Sequence, residues 1–192
     1  MNYIREVALF NNDETFNVIV EICPGTSDKA ELIMPSCNRL TVVRQVEGKY
    51  PFYYGSFPRT HAGDNDPLDM ILFTDKQHSP LEIVKVEVIG AVKTVDAGEQ
   101  DDKIICVEAD CGLKNVSKQF KKAMKFLKTY KGKDADMVIE KKLVDMEGAE
   151  QLVKQAHESY KKRNTSTVNK VVIQQVKVNA NKGAASIVRV KR

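Results

Sequence analysis

The rhythm of apolar and polar positions changes along this chain, and each change marks an element. Asn17-Val18-Ile19-Val20-Glu21-Ile22-Cys23 is β-branched and stops at Pro24-Gly25, which predicts a strand feeding a turn. Lys29-Ala30-Glu31 sets two charges on one face of a second strand, and Leu40 to Val46 predicts a third with Arg44 embedded in it. Tyr50 to Pro58 is aromatic and holds Pro51 and Pro58, so it reads as a core-packing loop. Met70-Ile71-Leu72-Phe73 and Ile104-Ile105-Cys106-Val107 are short apolar runs, while Val84-Lys85-Val86-Glu87-Val88 alternates cleanly up to a bend at Gly90. From Val116 the period lengthens. Val116, Phe120, Ala123, Met124, Leu127 and Tyr130 recur at helical spacing, with Lys118, Lys121, Lys122, Lys125 and Lys128 on the opposite face. A second helix is expected from Met146 to Arg163, with Ala149, Leu152, Val153, Ala156 and Tyr160 inward and the pairs Glu150/Lys154 and Glu158/Lys162 outward. Together these predict a mixed α+β chain that is mainly β: a small, strongly curved barrel with two main outer helices. After Asn164 the chain is polar and basic, and its β-branched patch Val171 to Val178 is either an added strand or flexible.

Composition narrows this to one domain. With 192 residues, 42% hydrophobic and 29% charged, the chain has enough apolar material for one good core. We therefore expect a domain over 1–163 followed by a basic tail over 164–192. Met1 to Glu14 carries Arg5, Glu6, Asp13 and Glu14 around a short apolar run, which fits neither a signal peptide nor a membrane span, so a cytoplasmic protein is expected. Cys23, Cys37, Cys106 and Cys111 form no C-x-x-C, which argues against zinc and for reduced thiols. The net charge of +4 hides an asymmetry: nine of the 30 basic residues and none of the 26 acidic ones lie in 161–192, leaving 21 against 26 in 1–160. An acidic body is a poor nucleic-acid binder, whereas the basic tail suits RNA, a membrane surface or the acidic body of a neighbouring subunit.

The densest chemistry lies at Gly63-Asp64-Asn65-Asp66-Pro67-Leu68-Asp69. In an extended segment Asp64 and Asp66 share a face about 6.6 Å apart, and Pro67 can turn Asp69 toward them. Three neighbouring carboxylates repel and raise one another's pKa, so such a site makes sense around hard cations such as Mg²⁺; taken alone, an ordinary solvated acidic turn fits equally well. A calcium loop starting at Asp64 fails, because Leu68 and Asp69 stand at its fifth and sixth positions. Asp96 to Lys103 forms a second acidic loop. P-loop, G-x-G-x-x-G, G-x-S-x-G and H-E-x-x-H motifs do not occur, and His61, His78 and His157 are scattered.

On these residues the chain resembles the family I soluble inorganic pyrophosphatases. Asp64-Asn65-Asp66-Pro67-Leu68-Asp69 fits the signature D-x-D-P-x-D, and the other pieces follow in family order: Glu21 in its strand, Lys29 with Glu31, Arg44, Tyr50-Pro51 and Tyr54-Gly55, then Asp96, Asp101 and Lys103, and finally Tyr130-Lys131. The resemblance spans residues 17 to 131. It implies a five-stranded OB-like β-barrel and Mg²⁺-dependent hydrolysis of pyrophosphate to two orthophosphates by a metal-activated water. It further implies that Asp64, Asp69, Asp101, Asp96 and Glu31 hold several Mg²⁺ ions, and that Asp66 is the general base. Lys29, Arg44, Lys103, Tyr130 and Lys131 would bind phosphoryl oxygens, with Glu21, Tyr50 and Tyr54 orienting their neighbours. A homo-oligomer, dimer or hexamer, is implied as well. Tyr53 stands where the family usually has Asn, Val43 where an acid precedes the arginine, and Ala97 where an acid follows the aspartate; the chain has no Trp for the family's Gly-Lys-Trp stretch. The alternative is an OB-fold nucleic-acid binder that stacks bases on the aromatics at 50–57 and uses the tail as a basic arm. Asp64, Asp66, Asp69, Asp96 and Asp101 would repel that ligand.

Overall fold

The computed structural model describes residues 1–33, 36–113, 115–132 and 136–181, with side chains only as far as 164 in the last stretch. In chain order its elements are α1 (Tyr3–Glu6), β1 (Phe16–Ile22), β2 (Asp28–Leu32), β3 (Leu40–Gln45), β4 (Tyr53–Ser56), β5 (Asp69–Phe73), β6 (Ile83–Val92), β7 (Thr94–Asp96), β8 (Glu99–Gln100), β9 (Lys103–Glu108), α2 (Val116–Leu127), β10 (Met137–Ile139) and α3 (Met146–Asn181). β1, β4, β5, β9 and β6 close into a five-stranded barrel in that order, as expected for the OB-like fold. All its pairings are antiparallel except β5 with β9, where Asp69 faces Lys103. The β6–β9 ladder slips between Val88 and Gly90, so the expected bend is present.

Strand alternation divides the core in two. Val18 and Val20 of β1, Met70 and Leu72 of β5, Val86 and Val88 of β6, and Ile104 and Cys106 of β9 pack with Ala149, Val153 and Ala156 of α3. Residues of the opposite parity, Ile71, Phe73 and Ile105, pack instead with Tyr50, Phe52 and the inward face of α2, Ala123, Phe126 and Leu127. Each helix therefore covers one side of the strands, and the period seen in sequence sets which side chains it meets. α3 starts where the Asp145 carboxylate accepts a hydrogen bond from the Gly148 N–H at 2.9 Å, an N-cap.

Three expectations need correction. The aromatic stretch is not all loop, because Tyr53 to Ser56 form β4, paired on both sides within the barrel. What makes this possible is Gly55: a Cβ there would lie 1.9 Å from the Ile19 carbonyl oxygen, so β1 and β4 approach only because it has none. β2 and β3 are strands but stand apart as a two-stranded arm. In the tail, Val171 to Val178 belongs to α3 rather than to an added strand. A helix already nucleated at 146–163 adds one hydrogen bond per residue, and β-branched residues cost it only a few tenths of a kcal/mol each. Residues 182–192 of the expected tail lie outside the described residues.

Candidate active site

The loop Ala62 to Leu68 is drawn tight by its own backbone. The Ala62 N–H donates to the Asp66 carbonyl at 2.8 Å and the Asn65 N–H to the Ala62 carbonyl at 3.3 Å. Asp64 Oδ1 accepts from the Asp66 N–H at 3.1 Å, an Asx turn. Asn65 sits in the left-handed region at φ 72°, which Asn tolerates better than most residues. Asp64 and Asp66 thus meet one cavity through a turn, and not through the extended alternation expected from their spacing. Thr60 anchors the loop's far end: its hydroxyl accepts from the Leu68 N–H at 2.9 Å and donates to the Phe57 carbonyl at 2.7 Å. Asp69 then opens β5 and turns back onto the same cavity.

That cavity, about 550 Å³, is lined by residues from four places in the chain: Glu21 and Ser56 of the barrel, Lys29, Glu31 and Arg44 of the arm, Asp64, Asp66 and Asp69, and Asp96, Glu99, Asp101 and Lys131 from the far side. Arm residues Lys29 and Arg44 face each other across the β2–β3 ladder, and the Lys29 ammonium is 2.5 Å from Glu31. Eight acidic side chains line the cavity against three basic ones, an excess that cations would relieve.

Beneath this wall lies a buried charge centre. Lys103 Nζ, 1% exposed, donates to Asp69 Oδ2 at 2.5 Å and to Asp101, while the Tyr54 hydroxyl donates to the same Asp69 oxygen. Lys131 Nζ contacts Asp96 and lies 3.6 Å from Asp101 Oδ2. Burial works to raise the Asp69 carboxyl, but Lys103, Lys29 and these hydrogen bonds outweigh it and hold it below the usual range. At Asp101 burial wins, aided by Asp69, and the carboxyl is pushed up to about 6. Burial also raises Asp66, with help from Glu31 and Asp69, and raises Asp64 against the hydrogen bond from the Asp66 N–H. Glu21, wholly buried, is pushed up to about 8 by desolvation even though the Ser56 hydroxyl donates to it at 2.8 Å.

Among the residues expected at the site, Glu21, Lys29, Glu31, Arg44, Asp64, Asp66, Asp69, Asp96, Asp101 and Lys131 all line this cavity. Lys103, Tyr54, Tyr130 and Tyr50 lie behind it. Arg44 stands 5.9 Å from the Tyr130 ring centre and Lys131 5.6 Å, so the phenol carries two cations. The Tyr50 hydroxyl is buried with no hydrogen-bond partner among the described residues, in the field of Tyr130, Arg44, Asp69 and Lys103. Ser56, Glu99, Leu32 and Ile33 also line the cavity and were not anticipated. Ser56 was legible only as the residue after Gly55, and the position of Glu99 depends on the tight turn at Ala97 (φ 49°) and Gly98 (φ 85°). The aromatics that base stacking would need, Tyr50, Phe52, Tyr54 and Phe57, are at most 3% exposed.

Oxygen-only donors in acidic excess are what a hard divalent cation requires, so these residues fit such an ion. Among the described residues no three such groups already converge as a cage. The ammonium groups of Lys103 and Lys131 lie among the carboxylates instead.

Comparison with known proteins bears on this geometry. Residues 18–161 match the inorganic pyrophosphatase family. The chain is 32% identical over 177 residues to an inorganic pyrophosphatase of Picrophilus torridus, covering 84% of this chain and 97% of that one. An inorganic pyrophosphatase of Synechocystis is 36% identical over 94 residues, 48% of this chain and 56% of its own length. A soluble inorganic pyrophosphatase of barley, Hordeum vulgare, is 39% identical over 97 residues, 45% of its length; the chain spans about half the length of these latter two. In structure, an inorganic pyrophosphatase of Neisseria gonorrhoeae superposes with a TM-score of 0.73 at 27% identity, over 83% of this chain and 99% of that one. The type I enzyme of P. falciparum shares the fold at a TM-score of 0.81 and 24% identity, over 93% of this chain and 69% of its own. Matched by the family across three quarters of its length, and by the Picrophilus protein across 84% of it, the chain belongs to the inorganic pyrophosphatase family.

Proposed function

We propose that this chain hydrolyses inorganic pyrophosphate to two orthophosphates with Mg²⁺ as cofactor. The observation that carries this reading is the cavity itself, where a ring of carboxylates and a set of cations share one opening: the first suits metal ions, the second a phosphate anion. Asp64, Asp69 and Asp101 would hold Mg²⁺, with Asp96 and Glu31 taking ions that arrive with the substrate. When bound, the ions would neutralise the tetra-anion and acidify the attacking water. Asp66, exposed at the cavity wall, would take the water's proton on its carboxylate. Lys29, Arg44 and Lys131 bind phosphoryl oxygens at the wall, Arg44 by its planar fork. Lys103 would balance Asp69 and Asp101 from below and, with cations held by those carboxylates, would be free to meet a phosphoryl oxygen; Tyr130 and Tyr50 would complete that side. Tyr54 fixes Asp69, and Glu21, held by Ser56, orients the floor.

A homo-oligomer, dimer or hexamer, is part of the same reading, supported by the exposed Val42 and Val43 on β3 and by Val138, Leu143 and Met146. A cytoplasmic location goes with four free cysteines and with the lack of any helix long and apolar enough to cross a membrane among the described residues. Phosphate release from pyrophosphate with Mg²⁺, and again in excess chelator, tests the activity. Release only with Mg²⁺ is expected; equal release in chelator would overturn the reading.

A further inference from the structure

We infer that Arg163 of α3 is a positioning residue for the metal-binding loop, acting through Asn65. The inference rests on the Mg²⁺ reading above and concerns the side of the loop that faces away from the cavity. There α3 runs behind the loop and shares the core with Leu68, but beside that contact a separate space of about 300 Å³ lies between His61 and Gly63 on one side and Leu152, Gln155 and Ser159 on the other. Across such a gap dispersion contacts are lost, so polar contacts at its rim decide where the loop sits. Three residues of α3 supply them. The Ala156 carbonyl accepts from the His61 N–H at 3.0 Å, and His157 Nδ1 donates to the Arg59 carbonyl at 2.7 Å. Arg163 Nη1 donates to Asn65 Oδ1 at 3.2 Å and to His61 Nε2.

Arg163 reaches the loop because of where it falls on the helix. Ala149, Val153, Ala156 and Tyr160 form the inward stripe at spacings of four, three and four, and Arg163 is the next position on it. The guanidinium itself is exposed, and it meets the loop at the solvent end of that face. Asn65 separates Asp64 from Asp66 and stands at φ 72°. Holding its side chain holds the peptide planes on both sides, and with them the angle between the two carboxylates. An arginine cannot lose its charge and gives a fixed fork, so it suits this task better than a lysine.

The experiment uses the full chain and four variants: Arg163→Gln, Arg163→Lys, Asn65→Gly, and Arg163→Gln with Asn65→Gly. Glycine keeps access to the left-handed backbone while removing the acceptor. Mg²⁺ affinity is read by titration calorimetry, beside kcat and KM for pyrophosphate and the melting temperature in chelator. The loss of one exposed contact from a charged donor predicts Mg²⁺ binding weaker by roughly 2–5-fold in Arg163→Gln and in Asn65→Gly. The double variant is expected to be no weaker than the worse single, with partial recovery in Arg163→Lys and an unchanged KM at saturating Mg²⁺. Unchanged Mg²⁺ affinity in the single variants, strictly additive losses, or a drop in melting temperature alone would each overturn the inference. If the wild-type chain hydrolyses pyrophosphate and the variants match it, only this inference falls; if the wild-type chain takes up no Mg²⁺, the metal reading falls with it.

Discussion

Asp66 and Arg44 look on the same cavity with opposite tasks, and substitutions separate them. Asp66→Asn keeps the shape and the backbone turn but cannot accept a proton, so kcat should fall by about 10²–10⁴-fold with little change in melting temperature; near-normal turnover at neutral pH would remove Asp66 as general base. Arg44→Lys keeps a charge and loses the fork, so KM should rise more than kcat falls, as steady-state kinetics would show. At this scale the sequence was informative where identity and spacing suffice. Asp64, Asp66 and Asp69 are neighbours in the chain, and ten expected residues do line one cavity. It was silent where a contact closes over a long loop. Asn65 and Arg163 are 98 residues apart, and an asparagine inside an acidic turn carries no mark that a helix will reach for it.

Between elements, one clamp stands well away from the cavity. His78 places Nδ1 2.7 Å from Glu82 and Nε2 2.9 Å from Glu108, which also binds the Lys76 ammonium at 2.8 Å and the Thr74 hydroxyl at 2.6 Å, so the 74–82 segment is tied to the end of β9. Burial alone would lower the His78 pKa, but its bonds to the two carboxylates outweigh this and raise it. Glu82 and Glu108 are lowered, Glu82 chiefly by its bond to His78, and Glu108 by its bonds to Lys76, Thr74 and His78 against burial. The histidine's stabilisation is therefore complete below its unfolded value of 6.5 and is lost as pH rises through the raised folded value; the carboxylates' share is present above 4.5 and lost as pH falls through theirs. Thermal unfolding of His78→Gln against wild type should show a deficit in mildly acidic buffer that shrinks toward pH 8. A constant deficit would assign the clamp to packing alone. β4 is the second lesson of this scale. The flanking Pro51 and Pro58 disguised a strand, and only the approach of Gly55 to Ile19 shows why it can pair; Gly55→Ala should cost about 1–3 kcal/mol or more in denaturant unfolding.

For the molecule as a whole, the acidic excess of the cavity couples metal to stability. A ligand that binds only the folded chain adds about 2.7 kcal/mol at a hundred times its dissociation constant, which for a chain of this size raises the melting temperature by about 5–10 °C. Scanning calorimetry with Mg²⁺ against chelator measures it, and no shift would mean that the carboxylates do not share an ion. All cavity-lining residues precede position 132, so a chain ending at Asn164, which retains Arg163, should keep turnover within about two-fold while its assembly, followed by light scattering, weakens. The barrel and its two covering helices were legible as a whole, because period-2 and period-3.6 patterning survive in any context; the helical course of 171–178 was not, since local β-branching outweighed continuation of the helix expected at 146–163. β9 has a further consequence, for the order in which the chain takes shape. It comes last of the five barrel strands in sequence yet sits between β5 and β6, so a chain emerging from synthesis presents two bare sheet edges until Lys103–Glu108 slots between them. The residue that enters first along β9 is Lys103, already opposite Asp69, so barrel closure and burial of this charge centre are one late event of high contact order. Folding should therefore be slow for a chain of this length, and a nascent chain stalled before residue 103 should be prone to aggregate and unable to protect its β5 amides from exchange.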